Sequence, residues 1–148
     1  MEALALSTPA LEHLASAYIA ALQRTVGDAG ASLTQLMIRE FGEELVASTP
    51  LPRDPVEAAR VALTKLGLAD EVEVVEEAPG RWRLLVRSRL ARSHEKLLAR
   101  GIRGSNLLPE ALVAAAAVRR ATGARVSVRA EILEPGLVEV TVEEIGKP

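Results

Sequence analysis

His13 and His94 are the chain's two histidines. Neither stands at a metal-ligand spacing from a carboxylate or from the other imidazole, so a ligand or general-base role finds no support in the pattern. Ser93-His94-Glu95 contains the residue types of a nucleophile triad. Consecutive residues cannot converge as a triad must, because its groups come from separate elements. Glu40 and Glu44 are i, i+4 on an expected helix, where two carboxylates can share a metal or a proton. With no His or Asp to complete a set, they read as solvated or interface side chains. Gly101-Ile102-Arg103-Gly104-Ser105-Asn106 precedes a helix and could offer backbone N–H groups to an anion. No strand leads directly into it and no Walker lysine follows, so a flexible basic loop is expected. The remaining anomaly is charge. Arg81, Arg83, Arg87, Arg89, Arg92, Lys96, Arg100 and Arg103 face a single acid, Glu95, within their own stretch. Such a segment suits phosphate or a carboxylated ligand. The plainer reading, in which its strand arginines pair with Glu71, Glu73 and the acidic last hairpin, is preferred.

The elements that carry these residues follow from capping and periodicity. Thr8-Pro9 reads as an N-cap and first helical residue, opening a helix to about Val26 with Leu11, Leu14, Tyr18 and Leu22 on one stripe. Gly27-Asp28-Ala29-Gly30 breaks it. A second helix is expected from about Ala31 to Val46, with Leu33, Met37, Phe41 and Leu45 on the inward face and a neighbouring backbone close to Gly42. Asp54-Pro55-Val56-Glu57 opens a third helix, which Gly67 closes with Leu68 behind it. Val72 and Val74 alternate with Glu71 and Glu73, then Trp82, Leu84 and Val86 with Arg81, Arg83 and Arg87. Ala78-Pro79-Gly80 makes the pair a hairpin. After a less regular basic segment, Ser105 and Asn106 offer caps for a helix over about Leu107 to Ala121, ended by Gly123. Val126, Val128, Ala130 and Ile132, then Val138, Val140 and Val142, form a second hairpin around Glu134-Pro135-Gly136. The expected fold is α+β: N-terminal helices, then two helix–β-hairpin units whose four-stranded antiparallel sheet is covered by helices on one face.

Composition removes whole classes of function. The absence of Cys excludes disulfides, cysteine zinc sites, iron–sulfur clusters and thiol catalysis. One Trp, one Tyr and one Phe make a poor base-stacking platform, and a net charge of −2 gives no pull towards nucleic acid. Glu2, Glu12 and His13 spoil the apolar N-terminus as an export signal, and no apolar run approaches the roughly 18 residues of a membrane span. A cytoplasmic protein is the expectation. At 148 residues the chain suits one domain, 1–148, with an N-terminal helix in 1–30.

Met37-Ile38-Arg39-Glu40-Phe41-Gly42-Glu43-Glu44-Leu45, Asp54 to Val75 with its Leu66-Gly67-Leu68 step, and Leu107 to Val142 with its Thr-Gly stop resemble the 4-vinyl-reductase-type small-molecule-binding domain. The likeness covers about 31–145. Relatives of that family include subunits of the TRAPP trafficking complex and, more distantly, heme nitric-oxide-binding domains. The resemblance implies binding of a small apolar or amphipathic molecule, or assembly with other chains. Many members carry Cys around the positions of Asn106, Ala130 and Leu137; this chain has none there. No motif places His13 or His94 as a heme ligand.

The run Ala114 to Ala117 lets elements pack closely or leaves a void for a ligand. The expected function is therefore non-catalytic binding of a small apolar or amphipathic ligand, as a sensor or assembly subunit. Met37, Phe41, Trp82, Leu112, Ala115 and Ala116 would line its pocket. No catalytic residue, metal or cofactor is assigned. The alternative is a structural module without a small ligand, homodimeric through the first two helices and their surplus apolar surface at Leu11, Leu14, Tyr18 and Leu22.

Overall fold

The computed structural model describes residues 8–26 and 31–146; the expected break at Gly27–Gly30 lies outside them. Helix α1 (Thr8–Val26) is followed by α2 (Ala31–Met37), a π-helical turn (Ile38–Gly42) and α3 (Glu43–Val46). Then come α4 (Pro55–Lys65), β1 (Ala69–Ala78), β2 (Arg81–Ser88), α5 (Ala91–Ala99), α6 (Pro109–Thr122), β3 (Arg125–Glu134) and β4 (Leu137–Gly146). The four strands form one antiparallel sheet in the order β1-β2-β4-β3.

Alternation sets the two faces of that sheet. Val72, Trp82, Leu84, Val86, Val126, Val128, Val140 and Val142 are buried and Val74 half-buried, as their spacing predicts. The core they enter is shared with α6, where every residue from Glu110 to Val118 is buried. Helix α4 packs on α6 and β1, and the π-turn and α3 pack on α6. The caps of α4 and the stop of α6 behave as read, but Ser105 and Asn106 do not cap α6, whose N-cap is Leu108 with no side-chain cap bond. Asp54 Oδ2 accepts the Glu57 N–H at 3.1 Å. The Leu68 N–H reaches Leu63 O at 3.0 Å, closing α4 in the Schellman manner. Gly123, at φ +72°, ends α6. Helix α6 itself starts at Pro109 rather than Leu107, because proline takes the first helical position.

Two expectations need correction. The basic segment after β2 contains a helix, α5, with Ser93, His94 and Leu97 inward. In the second helical segment the inward face is turned by one residue. Thr34, Ile38, Gly42 and Val46 are buried; Leu33, Met37 and Leu45 are half-buried, and Phe41 is 39% exposed. The cause is the close approach anticipated at Gly42. A Cβ there would lie 2.6 Å from Leu112 O and 2.9 Å from the Ala116 Cβ, so the glycine itself must face α6. The π-turn carries the chain through that contact.

Gly42→Ala is therefore an overpacking substitution and is expected to lower stability by about 1–3 kcal/mol, read as a shift of the urea midpoint without a change in slope. A midpoint equal to that of the unsubstituted protein would show that the helices can part at no cost.

Candidate functional site

The six residues expected to line a pocket lie on α6, the second helical segment and β2. Trp82, Leu112, Ala115 and Ala116 are buried, Met37 is half-buried and Phe41 points outward. Other residues line the grooves that the surface presents. One of them, about 630 Å³, is open and lies between Gln23, Arg103, Asn106, Arg129, Glu131 and Thr141. Where α6 meets the π-turn, the small residues bring backbones together, as the Gly42 distances require. One polar atom stands out at the expected site: the buried Trp82 Nε1–H has no hydrogen-bond partner among the described residues.

The chemistry that the sequence did not disclose is a polar knot under α5. His94 and Glu110 are buried, 1% and 0% exposed. The Gly136 N–H donates to His94 Nδ1 at 3.0 Å, so this nitrogen carries no proton. The proton is on Nε2, which donates to Glu110 Oε2 at 2.7 Å. The Ser88 hydroxyl donates to the same oxygen at 2.8 Å and accepts the Leu90 N–H at 3.0 Å. Glu110 Oε1 has no partner among the described residues, but the carboxyl lies in the first turn of α6, where the helix dipole favours negative charge.

Ser88, His94 and Glu110 are triad residue types, yet the wiring is not that of a nucleophile. Serine and histidine both donate to one carboxylate oxygen, so the imidazole does not act on the serine hydroxyl. Burial keeps a substrate away as well. The knot instead ties the end of β2, the inward face of α5, the start of α6 and the β3–β4 turn. Ser93 and Glu95, the neighbours that made the sequence suggestive, take no part in these bonds.

The other candidates resolve into structure. Arg81 lies near Glu77 and Glu143, Arg83 near Glu77 and Glu139, and Arg87 near Glu71, at 3.6–4.0 Å. The cross-strand reading of the arginines therefore holds, except that Glu73 stands opposite Leu85 rather than an arginine. The loop expected to be flexible is bonded to the sheet: the Ser105 N–H donates to Ala130 O at 3.1 Å, and the Ile132 N–H to Arg103 O at 2.7 Å. Glu40 and Glu44 are exposed. Among the described residues no group of acidic or histidine side chains could hold a metal ion, and no helix is long and apolar enough to cross a membrane.

Helix α1 carries the remaining candidate surface, and it is inverted. It packs against α5 while burying Glu12 and Ser16 beside Ile19 and Ala20. Its apolar stripe faces outward, with Leu11 51%, Leu14 46% and Tyr18 71% exposed; Leu22 is half-buried. A helix on a finished surface normally does the reverse.

The chain is similar to an uncharacterized protein of Methanocaldococcus jannaschii, 27% identical over 161 residues, spanning 93% of this chain and 78% of that protein. No family model and no solved structure matches.

Removing the imidazole strands the Gly136 N–H and one bond to a buried carboxylate. His94→Ala is expected to cost about 3 kcal/mol in urea unfolding, and Ser88→Ala about 1 kcal/mol. A loss below about 0.5 kcal/mol for His94→Ala would show that the knot contributes nothing to the fold.

Proposed function

We propose that this protein is an interaction module that forms a homodimer through the outward stripe of α1, with Leu36 and Phe41 adding apolar area from α2 and the π-turn. The observation that carries the reading is the inversion of α1. Leu11, Leu14 and Tyr18 are exposed on one side while Glu12 and Ser16 are buried on the other. Burying a leucine or a similar side chain contributes about 1.5–3 kcal/mol, so a helix that forgoes this on its apolar side is best explained by a partner there. A second copy presents the same stripe, and a two-fold axis brings like to like. The close approach of α6 to the π-turn supports a filled core in preference to a binding cavity.

The ligand-binding reading keeps one observation in its favour, the unpartnered indole N–H of Trp82, which an acceptor group on a small apolar molecule would satisfy. The resemblance to the 4-vinyl-reductase-type domain is compatible with either reading, since its relatives bind small molecules or assemble.

Native mass spectrometry of protein purified without additives separates the two. The expected result is twice the 15.8 kDa chain mass with no added mass. Leu14→Glu combined with Tyr18→Glu should return the monomer without unfolding it, because both positions are exposed. A monomer mass that does not change with concentration overturns the proposal, and a bound small molecule transfers support to the ligand reading.

A further inference from the structure

The two edges of the sheet are treated differently. Along β3 the edge backbone is engaged: Ala130 O accepts the Ser105 N–H, the Ile132 N–H donates to Arg103 O, and Val126 O accepts Gln35 Nε2 at 2.6 Å. Along β1, among the described residues, the edge holds a single such bond, from Arg60 Nε to Val72 O at 3.2 Å. That bond identifies the outward-directed backbone. In an antiparallel ladder alternate residues face the neighbouring strand, so Val72, Val74 and Glu76 face away from β2. Among the described residues no backbone bond outside the sheet falls on Val74 or Glu76.

The charges on the open face of the sheet alternate across β1, β2 and β4. β1 carries Glu71, Glu73 and Glu77; β2 carries Arg81, Arg83 and Arg87; β4 carries Glu139 and Glu143. β3 is mixed, with Arg125, Arg129 and Glu131, the last opposite Glu139. The basic row of β2 meets an acidic row on each side, and ion pairs form between them. The acidic row of β1 has the basic strand β2 on one side and, among the described residues, no strand on the other. Glu73 is exposed, opposes Leu85, and has no ion pair among the described residues.

A second copy is a poor occupant of this edge. Two-fold antiparallel pairings centred on Glu73, Val74 or Val75 oppose Glu73 to itself, Glu71 to Glu77, or Glu73 to Glu77. Like charges directly opposite are destabilising. This is how natural edges are guarded against themselves.

We propose that β1 accepts an extended basic segment of a partner protein as a fifth strand. The main chain of the segment would bond to Val74 and Glu76, and Lys or Arg at alternate positions would lie beside Glu71, Glu73 and Glu77. Affinity comes from the backbone ladder and selectivity from the charge row. The surface is separate from the α1 stripe, so either proposal can fail without the other.

The test uses the full chain and a fluorescein-labelled peptide, Gly-Lys-Val-Arg-Val-Lys-Val-Gly, read by anisotropy at low salt, with hydrogen exchange followed in parallel. Expected are saturable binding and slowed exchange at the Val74 and Glu76 amides. The same peptide with Glu at its cationic positions should not bind. Glu73→Lys, a surface change, should weaken binding about tenfold. Val74→Pro, which removes an edge N–H that the β2 ladder does not use, should abolish it. Binding that both variants leave unchanged, or protection confined to other strands, overturns the proposal. So does concentration-dependent protection of Val74 and Glu76 without peptide, which would assign the edge to a second copy.

Discussion

The close contact between α6 and the chain around Gly42 constrains the rest of the molecule. Helix α6 is enclosed by α4, α3, the π-turn and the sheet, and a helix enclosed on all sides needs small residues wherever a backbone crosses it. Alanines at 114 to 117 and the missing side chain at 42 meet that need. Once Gly42 must face α6, the rotation of its whole segment follows. Ile38 and Val46 turn in, Phe41 turns out, and the larger side chains line the flanks of the contact. Dense packing of this kind has little tolerance for an added methyl group.

The strands were legible in the sequence because each has one wet face, and charge at every second residue leaves little choice of register. The Asp54 cap and the Gly123 stop were legible because local chemistry alone sets them. Two features were not. Helix α5 escaped because its inward positions include Ser93 and His94, so hydrophobic periodicity underweights the buried side. The face of the second helical segment escaped because two adjacent i, i+4 sets compete, and a reading based on side-chain size picks Met37 and Phe41 over Gly42. Close approach, a property of the partner helix, decides the matter.

The candidate surfaces divide in the same way. The α1 stripe of Leu11, Leu14 and Tyr18 can be read from spacing, as can its excess over what one sheet face requires. That its opposite, more polar side does the packing was not visible. The knot around Glu110 was illegible for another reason. A glutamate in the first turn of a helix is ordinary, and only the fold brings Ser88, His94 and Gly136 to it. Such a cluster is demanding: each donor has one place to go, so alternative packings of α5 would leave a buried carboxylate short of partners. We regard it as a device that selects one arrangement of four elements.

The strand order has a kinetic consequence. β1–β2 and β3–β4 are hairpins closed by short turns, and contacts so local form early and quickly. The β2–β4 seam is different. It joins Arg81–Arg87 to Leu137–Glu143 with α5 and α6 in the intervening chain, so a long loop must close before the seam returns any free energy. The barrier to folding therefore falls where two preformed ribbons zip together around α6. Interactions within either hairpin, already made at the barrier, govern the speed of folding, and those completed only after the seam has closed chiefly govern its reversal.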